Sequence, residues 1–172
     1  MPDDDASWLA AVAQSLGRQF KPSPEPPESG GIPNSDFLLP FSLVRGSRGY
    51  IEQVCNQING CYERGYYDGC AVMCRRMLET LIIESFEKHG LASKIKDGGG
   101  EFLYLADLID RTLHETSWNL TRNAKRALPR LKDLGDKSAH SRRYNAHRAD
   151  LDKVSDDLRF VVQELVYLAG LK

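Results

Sequence analysis

From Tyr50 onward the apolar residues of this chain recur every three to four positions, and no Val-, Ile- and Thr-rich run alternates with polar residues as a half-buried strand would. A chain patterned this way buries its apolar side chains only as amphipathic helices, so the spacing predicts an all-α body. Tyr50, Ile51, Val54, Ile58 and Cys61 mark a first core helix that breaks near Gly65. A second runs from about Asp68 to Lys88, burying Cys70, Met73, Cys74, Met77, Leu81 and Ile82, with Gly90 as the residue after its C-cap. Beyond a flexible turn at Asp97, Gly98, Gly99 and Gly100, a third helix carries Phe102, Leu105, Leu108, Ile109 and Leu113. The fourth covers about Thr121 to Leu134, with Thr121 as N-cap, a kink or restart at Pro129 and its end at Gly135. The last starts near Asp150, read as its N-cap, and sets Leu151, Val154, Leu158, Val161, Leu165 and Leu168 at spacings of three and four until Gly170. Short turns between such segments give an antiparallel bundle of four to five helices.

The remainder divides by composition. Six of the eight prolines fall between Pro22 and Pro40, beside Gly30 and Gly31, so residues 21–44 read as a Pro/Gly-rich linker ahead of a helical domain at 45–172. Residues 1–20 read as a separate N-terminal amphipathic helix: Trp8, Leu9, Val12, Leu16 and Phe20 share one face, and Asp3, Asp4 and Asp5 stand at its positive end. That face suits either the chain's own core or a protein partner. Acidic residues stand where a signal peptide would be basic, and no apolar run is long enough to cross a bilayer, so a cytoplasmic protein without membrane contact is expected. The four cysteines then read as free thiols. Cys70 and Cys74 sit one helical turn apart, but no second pair or nearby His completes a tetrahedral set, so neither a metal nor a cofactor is expected.

Charge is unevenly placed. The formal total is -1, yet residues 121–148 hold nine cations against Asp133 and Asp136, a net +7 on an otherwise acidic body. These cations are Arg122, Lys125, Arg126, Arg130, Lys132, Lys137, Arg142, Arg143 and Arg148, with Tyr144 among them as a ring on which a base can stack. Read plainly they are a solvated helix face; read functionally they form a phosphate-backbone site. His140 and His147 lie in the same stretch. Cations beside an imidazole disfavour its charged form and leave it ready to accept a proton, while Arg offers a donor fork to a charged transition state. These are the residue types for cleaving RNA without metal: a base for the 2′-hydroxyl, and fixed positive charge for the phosphorane-like transition state.

At Lys132, Asp133, Leu134, Gly135, Asp136, Lys137, Ser138, Ala139, His140 the sequence resembles the HEPN superfamily of helical nucleotide-binding and ribonuclease domains, and most a bacterial branch known as a domain of unknown function. Members of that branch end a helix with Gly-Asn or Gly-Asp, a short spacer and Ala-His, then close with a long C-terminal helix; the likeness spans about Arg45 to Lys172. The resemblance implies a HEPN-like bundle, a homodimer whose two motifs line one cleft, and work in prokaryotic toxin or defence systems. HEPN ribonucleases carry an Arg, commonly followed by a polar residue, with four to six positions between that Arg and a His. Arg142 to His147 fits that spacing, whereas His140 fits the longer motif but has Lys132 where the branch often shows Arg. On this reading His140 or His147 is the base, Arg142 and Arg143 clamp the phosphate, and Asp136 orients the histidine or caps the adjacent turn. The alternative from another class is a non-catalytic helical interaction module.

Overall fold

The computed structural model of the chain describes residues 37–172, so the helix expected over residues 1–20 and the linker as far as position 36 lie outside the described residues. Within them the protein is all-α. Six helices follow in order: α1 Gly49–Glu63, α2 Tyr67–Lys88, α3 Leu105–His114, α4 Arg122–His140, α5 Arg148–Asp152 and α6 Ser155–Leu168, with single 3-10 turns at Phe41–Leu43 and Ala92–Ile95. No strand forms among the described residues; a single isolated bridge joins Lys96 and Phe102.

α2 is the central helix, packed against α1, α3, α4 and α6. Its buried side chains include Met77, Leu78, Leu81, Ile82 and Phe86. The glycine punctuation works as its chemistry requires. At the end of α2, Gly90 takes a left-handed φ of 69°, and the Gly90 and Leu91 amides donate to the carbonyls of Glu87 and Phe86 at 3.0 and 2.8 Å. A side chain at that φ would be strained, and the two bonds satisfy carbonyls that the helix end leaves open. The same pair closes α1 at Gly65 and Tyr66.

Four boundaries depart from the sequence expectation. The core begins ahead of residue 45, because Leu38, Leu39, Phe41 and Val44 are all buried. Phe102 is not on α3 but in the bridge with Lys96, whose ammonium lies 4.8 Å above its ring. α4 neither restarts at Pro129 nor ends at Gly135; it runs unbroken to His140. Pro129 is exposed there and forgoes one helical hydrogen bond, to the carbonyl of Lys125, itself an exposed residue within reach of water. Finally, the C-terminal seam is split at Lys153 and Val154 into α5 and α6, and Asp150 is the third residue of α5, its carboxylate accepting from the His147 amide at 3.0 Å. His147 is therefore the N-cap. The seam belongs to the core of the single chain: Leu151, Leu158, Val161 and Leu165 are buried.

Smaller features resolve into packing. Cys55, Cys70 and Cys74 are buried thiols, and burial also pushes the half-buried Cys61 thiol up. Trp118 turns away from the basic segment onto Phe86 and His89, with ring centroids 4.8 and 5.1 Å apart, and its indole N–H donates to the Thr112 carbonyl at 3.3 Å. Asp97 Oδ1 accepts from the Gly99 and Glu101 amides, which makes the triple-glycine turn a side-chain-braced loop.

Candidate nucleic-acid interface

α4 has two unlike faces. Inward it presents Leu128 and Leu131 with Ala124, Ala127 and Gly135, the last at the close crossing with α2. A Cβ added at Gly135 would stand 2.7 Å from Arg75 Cβ and 3.2 Å from the Ala71 carbonyl, so only glycine fits at this crossing. Outward it presents Arg122, Arg126, Arg130, Lys137 and His140, all exposed. At 100° per residue these five fall within about 80° of arc and extend over about 27 Å, with Lys125 flanking them. Arg142 and Arg143, also exposed, follow in the loop after α4.

The nine cations do not share one role. Lys132 is half-buried and donates to Asp136 at 2.6 Å, while Arg75 Nε donates to the other Asp136 oxygen at 2.8 Å. Arg148 leans over the Tyr62 ring at 5.2 Å and donates to its hydroxyl at 3.1 Å, beside Asp152. Arg130 reaches Asp157 at 2.8 Å. For Arg122, Lys125, Arg126, Lys137, Arg142 and Arg143 no ion pair is found among the described residues. Those six are free to neutralise an external anion.

The loop after α4 is fixed at both ends. Ser141 Oγ accepts from the Tyr144 amide at 3.2 Å, and the Ala146 amide donates to Asp68 Oδ1 at 2.9 Å, which ties the loop to the first turn of α2. Burial, aided by a hydrogen bond to Asp150, pushes the Tyr144 phenol up, so this ring is a half-buried strut rather than an open platform. His140 closes α4 and His147 opens α5, and both are exposed. Asp136, expected beside a histidine, instead has its two carboxylate oxygens on Arg75 and Lys132.

Arg75, far from this segment in sequence, is the partner that sequence reasoning missed; no local pattern announces it. Sequence reasoning also missed the bay of about 290 Å³ beside the ridge, where Asn123, Arg126 and Arg130 face Asp156, Asp157 and Phe160. Partial burial pushes the Asp136 carboxyl up, but hydrogen bonds from Lys132 and Arg75 outweigh it and hold the group below its ordinary value. Its folded value lies below the unfolded one, near 3.9, so the stabilisation is complete above that pH and is lost as pH falls through the folded value. Asp136→Asn is expected to cost roughly 1 kcal/mol at neutral pH and to flatten the acid limb of stability. Urea unfolding at pH 7 and pH 3 checks this, and parallel acid limbs in the two proteins would assign the limb to other carboxylates.

Protein-family models give no match to the chain, and neither curated proteins nor solved structures give one.

Proposed function

We propose that this domain binds RNA along the basic ridge of α4 and the loop that follows it, in the manner its resemblance to HEPN domains implies. The observation that carries the reading is the set of six exposed cations without a carboxylate partner among the described residues: Arg122, Arg126 and Lys137 share one face of α4 with Arg130, Lys125 flanks that face, and Arg142 and Arg143 follow in the loop. Neighbouring carboxylates at i,i+4 would offset such cations, and on α4 only Lys132 has one, in Asp136.

Binding through these groups must be strongly salt-dependent. If all six cations meet phosphates, the logarithm of affinity for a single strand falls with the logarithm of salt at a slope of about -4. Arg126→Glu with Lys137→Glu removes two of those contacts, flattens the slope by about 1.4, and weakens binding throughout. Both residues are exposed, so stability should stay within about 0.5 kcal/mol. Fluorescence anisotropy of a labelled unstructured RNA over a salt series checks this. Absence of binding, or binding indifferent to the charge reversals, would leave the protein-interaction module as the reading to pursue.

Cleavage is the second reading, and one observation favours it: His140 is exposed at the C-terminal end of the ridge, in line with Arg122 and one turn beyond Lys137. A strand laid along the ridge passes this imidazole, where a neutral ring can take the proton of a 2′-hydroxyl as its oxygen attacks the adjacent phosphorus. Arg142 and Arg143, just beyond in the chain, are the cations to meet the charge that develops; the bond from phosphorus to the 5′-oxygen breaks, that oxygen takes a proton from the imidazolium or from water, and the products are a 2′,3′-cyclic phosphate and a 5′-hydroxyl. Incubating RNA in chelator with the wild type, His140→Ala and His147→Ala separates the histidines: only the first variant should lose cleavage.

A further inference from the structure

α6 carries exposed aromatic rings opposite its buried face. Leu158, Val161, Val162 and Leu165 are sealed in the core, while on the opposite side Phe160 is 40% exposed and Tyr167 is 79% exposed. A helix that buries only one stripe carries polar residues on the other. Here the outward stripe, Phe160, Gln163, Glu164 and Tyr167, lines a groove of about 520 Å³ walled by Leu43 and Lys172. Positions i, i+3, i+4 and i+7 along one helix are the geometry that receives a second helix side by side.

The chain itself carries a matching stripe: Trp8, Leu9, Val12, Leu16 and Phe20, all outside the described residues. The described chain starts beside the groove. Arg159, next to Phe160, donates to the Leu38 carbonyl at 2.9 Å, and Leu43, just downstream, is part of the groove wall. Sixteen residues separate Phe20 from Phe37. A tether of that length, five of its residues proline, reaches from roughly 20 Å as a coil to roughly 50 Å at about 3.1 Å per residue, so either limit brings the stripe to the groove within one molecule. Charge is compatible: Asp3, Asp4 and Asp5 lead the stripe, Lys172 stands on the groove rim with its ammonium on the Ser42 carbonyl, and the groove's carboxylate, Glu164, is taken up by the Thr121 amide and hydroxyl. We propose that residues 8–20 dock in cis as a helix in the groove of α6, covering Phe160 and Tyr167.

The chain holds two tryptophans, so Trp118→Phe in the full-length protein leaves Trp8 as the sole reporter. The expected result is blue-shifted Trp8 emission, shielded from acrylamide and independent of protein concentration. Tyr167→Asp, with Phe160→Asp as a second variant, should return the emission to the red and remove the shielding. Far-UV circular dichroism and thermal midpoint confirm that these surface variants stay folded. Three results overturn the proposal: Trp8 solvent-exposed in the parent, shielding indifferent to both groove variants, or shielding lost on dilution, which would assign the groove to a second copy.

Discussion

Gly135→Leu should destabilise the protein by about 3 kcal/mol, even after the roughly 1 kcal/mol that leucine gains over glycine in helix propensity. The reason is local and backbone-deep. The new Cβ alone would stand 2.7 Å from Arg75 Cβ and 3.2 Å from the Ala71 carbonyl, and neither is the free end of a flexible side chain. α4 must therefore lift off α2, and Asp136, the next residue, leaves Arg75 as it goes. For a chain of this length the thermal midpoint should fall by roughly 10 °C. Gly135→Ala should lie between the two, and Gly98→Ala, with nothing within 4 Å of the added Cβ, should change stability by less than about 0.5 kcal/mol. Urea and thermal unfolding of the three variants check the ordering. A Gly135→Leu protein as stable as the wild type would mean that α2 and α4 are not in this close crossing.

That prediction bears on the motif as well as on the core. In the sequence, Gly135, Asp136 and His140 read as one functional run, yet the structure spends the first two on the crossing with α2 and leaves His140 outside it in solvent. Of that run, only His140 is left to meet an external partner, with the crossing behind it.

The period of the apolar residues, the closing glycines of α1 and α2, and the Thr121 cap were legible because each is decided within one or two turns of chain. The Thr121 hydroxyl does accept from the Ala124 amide. Gly135 was misread for a physical reason: a glycine followed by polar residues is how helices usually end, and the crossing that explains it lies with Ala71 and Arg75 on another helix. The split at Lys153 was hidden by a seam that keeps its spacing straight through the break. The excess of cations was plain from counting. Which of them remain unspent was only partly so: Lys132 with Asp136 and Arg148 with Asp152 are i,i+4 pairs that spacing alone offers, whereas Asp157 for Arg130 and Tyr62 for Arg148 stand on other helices and are set by tertiary packing.

Asn59→Leu is the second large effect, with an expected loss of about 3 to 5 kcal/mol from three backbone groups. Asn59 is fully buried. Its Oδ1 accepts from the Leu38 and Leu39 amides at 3.0 and 2.9 Å, and its Nδ2 donates to the Leu39 carbonyl at 2.8 Å. Leu38 and Leu39 have no strand or helix to satisfy their polar backbone, so one side chain on α1 supplies what secondary structure would. Leucine leaves two donors unpaired in the core and the Leu39 carbonyl with only the Cys55 thiol at 3.7 Å, at about 1 to 3 kcal/mol for each lost partner, unless the segment swings out and gives up the burial of two leucines, worth roughly 1.5 to 3 kcal/mol apiece. Either route is expensive, and amide hydrogen exchange tells them apart: protection at Leu38 and Leu39 persists in the first and vanishes in the second. Asn59→Asp keeps the acceptor, loses the donor and buries a charge, so it should not rescue. A loss below about 1 kcal/mol for Asn59→Leu would mean that residues 38 and 39 do not depend on this amide. The same segment leads into the wall of the α6 groove, so the swing-out route carries a second readout: Trp8 should lose its shielding together with the two amides.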